Sequence, residues 1–148
     1  MRAYIEFLKD YFKSTPLVGA EIGIFRCENA LELLRELEIS RLYLIDPFLK
    51  YGEFIWGNHK QDEYDLLYLS AQETLKSHPN TTLMREKSSG AASKIPQLDF
   101  VYIDGNHAFD YVKQDVELYY PKIKPRGIIS GDNLEYKDVA NVVTQFFL

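Results

Sequence analysis

The stretch Leu17-Val18-Gly19-Ala20-Glu21-Ile22-Gly23, the helical segment from Asn29 to Leu37, and the run Arg41-Leu42-Tyr43-Leu44-Ile45-Asp46 together decide the fold. The first and last are short apolar runs of strand length, and each ends on a residue that halts it, Gly23 in one case and Asp46 before Pro47 in the other. Between them Ala30, Leu33, Leu34 and Leu37 recur at helical spacing, with Asn29 as a candidate helix cap. Strand, helix, strand with apolar strands is the pattern of parallel strands covered by helices.

Working outward, the same unit repeats in type. Ile5, Leu8 and Phe12 predict an N-terminal amphipathic helix over Arg2 to Phe12, closed by Pro16. Downstream, Tyr64, Leu67, Tyr68, Ala71 and Leu75 mark a helix, and Thr82 to Arg85 a third strand. Phe100 to Asp104 is a fourth strand, Val112, Val116 and Tyr119 a helix, and Gly127 to Ser130 a fifth strand. Val139, Val142, Val143 and Phe146 lie on a last helical face. Alternation of this kind predicts a doubly wound, mostly parallel α/β sheet in one domain spanning residues 1–148. Phe48 to Glu63, rich in rings such as Tyr51, Phe54 and Trp56 but without period, reads as a loop able to act as a lid.

Composition narrows the function. The 148 residues are 46% hydrophobic and 26% charged, as in a folded globule. A net charge of -5 supplies no basic footprint for a nucleic-acid backbone. No apolar run approaches the roughly 20 residues of a membrane span, and the N-terminus carries no secretion signal, so no membrane partner and a cytoplasmic location are expected. The one cysteine, Cys27, makes neither an internal disulfide nor a zinc cluster.

In a doubly wound sheet, ligands bind beyond the carboxyl ends of the strands. Those ends carry Glu21 and Gly23, Asp46, Ser88 and Ser89, Asp104 to His107, and Asp132 with Asn133. Gly23 with Asp46 suits a ribose-bearing ligand, or equally a turn glycine and a cap. The absence of a G-x-G-x-x-G run argues against a dinucleotide and for a ligand without phosphates. Asp104, Asp132 and Asn133 are hard oxygen donors able to meet on a divalent cation such as Mg2+, or again plain caps. His107, three residues after Asp104, is a candidate base or a surface histidine. His59 and His78 stand in loops without acidic partners in sequence.

Three segments, AEIGIFRCENA (20–30), LYLIDPF (42–48) and LDFVYIDGNHAFDYVKQDVELYYPKIKPRGIISGDN (98–133), resemble the class I S-adenosylmethionine-dependent methyltransferases. Nearest are the small-molecule O-methyltransferases of the catechol and macrocin-like sugar groups, a group that includes cephalosporin-hydroxylase-like proteins. The resemblance implies a three-layer, Rossmann-like sheet of order 3-2-1-4-5 and S-adenosylmethionine as cofactor. It implies that Glu21, Gly23, Asp46, Ser88, Ser89 and Asp104 bind that cofactor, that Asp104, Asp132 and Asn133 hold Mg2+ or a similar cation, and that His107 and Asp104 are catalytic. The expected reaction is methyl transfer to a hydroxyl of a small molecule. Two departures stand out: Cys27, preceded by Arg26, occupies the place of a family glycine, and the hairpin that completes the family's sheet does not follow the last helix. The alternative expectation is a catalytically weak or inactive binding subunit of the same fold. A bare fifth strand predicts a homo-oligomer.

Overall fold

A computed structural model describes residues 1–50 and 59–148 of the chain. Five strands, β1 (Leu17–Ile22), β2 (Ile39–Ile45), β3 (Thr81–Met84), β4 (Leu98–Ile103) and β5 (Ile123–Gly131), form one sheet of order β3-β2-β1-β4-β5. Every neighbouring pair is parallel. The helices are α1 (Ala3–Phe12), α2 (Glu28–Glu36), α3 (Gln61–Leu75), α4 (Ser88–Ala91), α5 (Phe109–Tyr119) and α6 (Lys137–Phe147), with single 3-10 turns at Ala92–Lys94 and Tyr120–Lys122.

Strand alternation sorts the core into two faces. Leu17, Leu42, Leu44 and Phe100 pack with Ile5 and Leu8 of α1, Ala30 and Leu33 of α2, and Ala71 and Leu75 of α3. Ala20, Ile22, Ile45, Leu98 and Val101 face the other way, against Ala91, Ala92, Ile95 and Tyr119. A third cluster, Val112, Val116, Val139 and Val142, joins α5 to α6. Gly19 is required by this packing, because a Cβ there would meet the buried Phe100 ring at 2.2 Å.

Three expectations change in detail. Asn29 does not cap α2: Cys27 stands at the cap in a left-handed conformation (φ 63), and Asn29 is inside the helix, accepting a hydrogen bond from the Tyr4 hydroxyl. That φ also explains why a glycine suits this position in the family. Strand β5 begins four residues earlier than the apolar run, at Ile123, and its register against β4 shifts between Leu98 and Phe100. Pro125 is tolerated there because β5 is an edge strand. The expected lid differs at its two ends, where Phe48 is buried in the core and Gln61 to Glu63 open α3, while Tyr51, Phe54 and Trp56 lie outside the described residues. Among the described residues no helix is long and apolar enough to cross a membrane.

Candidate active site

The sheet's hydrogen bonding continues one residue past four strands, and this aligns the candidate residues along one edge. The backbone N–H of Gly23 donates to Ile45 at 2.9 Å, Asp46 to Met84 at 3.2 Å, Asp104 to Ile22 at 2.8 Å and Asp132 to Ile103 at 3.2 Å. Beyond that edge lies a cavity of about 410 Å3. Gly23, Asp46, Ser88, Asp104 and His107 all line it, so five of the sequence-derived candidates share one space. Glu21 and Ser89 do not line it. Ser89 is exposed on α4, and Glu21 is only 1% exposed within β1.

Each of these residues has structural work as well. Gly23 has φ +83, and a Cβ there would meet the Asp104 carbonyl oxygen at 2.1 Å. What approaches this glycine is therefore the neighbouring loop. The Asp46 carboxylate accepts backbone N–H groups from Ile24 (3.0 Å), Phe25 (3.2 Å) and Phe48 (2.8 Å), so it shapes both the first loop and the turn over Pro47. Burial raises its pKa, and those three donors oppose the rise. The Ser88 hydroxyl donates to Asp115 of α5, and the Ser88 carbonyl accepts from Tyr119 at 2.8 Å. Burial pushes the Asp115 carboxyl up to about 6 and the Glu21 carboxyl up to about 8. Glu21 Oε2 has no hydrogen-bond partner among the described residues.

His107 sits between two of the expected cation ligands. Its Nε2 bonds to Asn133 Oδ1 and lies 3.5 Å from Asp104 Oδ1, while Tyr136 meets the ring edge-on at 5.5 Å. Asp104 raises the ring's pKa, helped by Asn133, and partial burial opposes it. Asp132 spends one carboxylate oxygen on the N–H of Asn133, which is left-handed at φ 60. In this arrangement an imidazole nitrogen joins two of the three donors expected for a cation, Asp104 and Asn133. Among the described residues no three His, Cys, Asp or Glu side chains converge on a metal position.

Sequence reasoning missed several wall residues. His59 does have an acidic partner, Glu63 at 3.1 Å, one helical turn on, and it lines the cavity with Phe25, Tyr64 and Tyr111. The i, i+4 spacing of His59 and Glu63 was the available signal, hidden by reading the segment as loop. Asp115 interrupts the apolar face of α5 and is 4% exposed; a lone acid on a buried helical stripe is a signal in itself. Among the described residues lining the cavity, Asp46, Asp104 and Asp115 are acidic and none is Lys or Arg.

A family model described as a methyltransferase domain matches residues 21–134. No curated protein matches the chain. Among solved structures, the chain is similar to the precorrin 8W decarboxylase of Methanobacterium thermoautotrophicum at 20% identity and TM-score 0.67, covering 97% of this chain and 70% of that one. Similar too are the precorrin-6y C5,15-methyltransferase of Geobacter metallireducens (16%, TM-score 0.68, 94% and 64%) and the N-methyltransferase NodS of Bradyrhizobium japonicum (13%, TM-score 0.65, 95% and 78%). The chain thus spans about two thirds to three quarters of the length of these structures, and identities of this order speak for the fold.

Proposed function

The chain belongs to the methyltransferase-domain family, the class I S-adenosylmethionine-dependent methyltransferases, and from that premise we propose that it transfers a methyl group from S-adenosylmethionine to a hydroxyl of a small molecule. The observation that carries this reading is the cavity at the strand ends, with three carboxylates and no Lys or Arg among the described residues of its wall. Such a wall attracts a cationic ligand and offers nothing to a phosphate. S-adenosylmethionine supplies a methyl on a positively charged sulfur; the acceptor's oxygen forms the new C–O bond as the C–S bond breaks and its electron pair returns to sulfur.

The chain's residues have separate tasks. Asp46 accepts from the ribose with the lone pair that its own loop leaves unused. Ser88, oriented by Asp115, is assigned to the adenine. His107 takes the acceptor's proton, with Asp104 stabilising the charged ring and Asn133 fixing its orientation. No step is assigned to a divalent cation.

Calorimetry with S-adenosylhomocysteine tests the reading: micromolar binding is expected, weakened in Asp46→Ala. A chain that binds neither this compound nor S-adenosylmethionine overturns it. Binding without turnover on any acceptor turns the reading into that of a binding subunit.

A further inference from the structure

A second cavity, of about 290 Å3, lies between β4, β5, α5 and α6. Asp104, Gly105, Asn106 and His107 line both cavities, so the two spaces adjoin along one loop that forms part of the wall of each. The remaining sides are chiefly aliphatic: Ile103 and Ile129 from the sheet, Val112 and Val116 from α5, Val139 and Val143 from α6. Polar groups other than those of the shared loop come from β5 and its end, at Ser130 and Asp132. We propose that this second cavity is the acceptor site, and that the acceptor is a ring-sized apolar molecule with its reacting hydroxyl turned to the shared loop at His107. The proposal rests on the first cavity holding S-adenosylmethionine.

Size and chemistry both restrict the occupant. An apolar cavity of roughly 150 Å3 already admits a benzene ring, so about 290 Å3 takes one ring with a substituent or two. It stands at the low end of ligand-site volumes, roughly 300 Å3 upward, which excludes large acceptors. A sugar is disfavoured by hydrogen bonding. Each ring hydroxyl buried against Val and Ile without a partner costs about 1–3 kcal/mol, and the polar groups here are gathered at the shared loop and the end of β5. A molecule with one hydroxyl and an apolar body satisfies every surface: its body lies against the valines of α5 and α6, and its oxygen reaches His107. The class of acceptor is thereby set by the α5–α6 pair, whereas the strand ends set the cofactor.

The test uses phenol, cyclohexanol and methyl glucoside as probes, titrated by calorimetry or ligand-observed NMR onto the chain saturated with S-adenosylhomocysteine. Phenol and cyclohexanol are expected to bind in the millimolar range or tighter, and methyl glucoside at least about tenfold more weakly. Val143→Phe, at a half-buried wall position, and Val116→Phe, deeper in, are each expected to weaken both ring alcohols by about tenfold or more while S-adenosylhomocysteine binds as before. Retained S-adenosylhomocysteine binding shows that a variant is folded, and Val143→Phe serves if the deeper substitution unfolds the chain. Failure of the wild-type chain to bind S-adenosylhomocysteine strikes at the methyltransferase reading itself. If that compound binds but the ring alcohols do not, or bind equally well in both variants, or the glucoside binds best, the acceptor-site proposal alone is overturned.

Discussion

Ile24, Phe25 and Phe48 all donate to Asp46, and a carboxylate has only about four lone-pair positions. One position is left for a ribose, so Asp46 holds one hydroxyl directly rather than both. Of the 2′-deoxy and 3′-deoxy forms of S-adenosylhomocysteine, one is expected to lose about tenfold or more in affinity and the other little; equal losses refute the count. Glu21 leads to a different measurement. Its carboxyl ordinarily titrates near 4.5 and is pushed up to about 8 by burial, so the folded chain holds a proton that the unfolded chain gives up. Its contribution to stability is complete below the unfolded value and is lost as pH rises through the folded one, at up to about 1.4 kcal/mol per pH unit. Glu21→Gln should flatten the dependence of the urea midpoint on pH between 5 and 8 relative to the unliganded wild type; parallel profiles would count against the assignment. The sequence showed which residue types end the strands, because apolar runs stop abruptly at Gly23, Asp46 and Asp104. Which lone pairs those residues keep for a ligand was hidden, since that depends on loop dihedrals such as φ 43 at Phe25 and φ 63 at Cys27.

Among the elements, α1 is the one whose role periodicity understated. Its apolar stripe, Ile5 and Leu8, predicted only a helix that packs on the core. Its polar groups also tie it to three other elements. Tyr4 donates to Asn29 of α2 and stacks on Tyr102 of β4 at 4.2 Å, Lys9 pairs with Glu36, and the Tyr11 hydroxyl donates to the Arg126 carbonyl of β5 at 3.0 Å. Tyr4→Phe keeps the stack and removes one donor to a buried amide, so a loss of about 1–3 kcal/mol in urea unfolding is expected; an unchanged midpoint would show that the amide finds another partner. The short helix α4 escaped sequence reading for a physical reason. Four residues span barely one turn, too few to show a period, and Ser88 and Ser89 resemble any polar strand end.

For the whole molecule, the strand order read from the resemblance is the one observed, since strictly alternating strands and helices with right-handed crossovers leave few alternatives. The β5 edge carries Lys124 and Pro125, and Lys124 pairs with Asp99 at 3.0 Å, devices that discourage strand addition. Nearby, Tyr120, Phe146 and Phe147 stack edge to face while remaining 49%, 38% and 40% exposed. A second copy of the chain is the proposed cover for these rings. Light scattering at micromolar concentration should then show a dimer or larger species, reduced towards monomer by Phe146→Ser; a monomer throughout the range dismisses the proposal. A last consequence concerns time. Strand β1 pairs with β4 in the register Gly19 to Phe100, so the sheet's central seam joins segments about eighty residues apart in the chain. Gly23 meets Asp104 only when that seam closes. During synthesis the first half emerges before the segment that supplies the opposing wall, and contacts of such long sequence separation form slowly. Capture of S-adenosylhomocysteine by a refolding chain should therefore be a late event, and its rate should report closure of the seam.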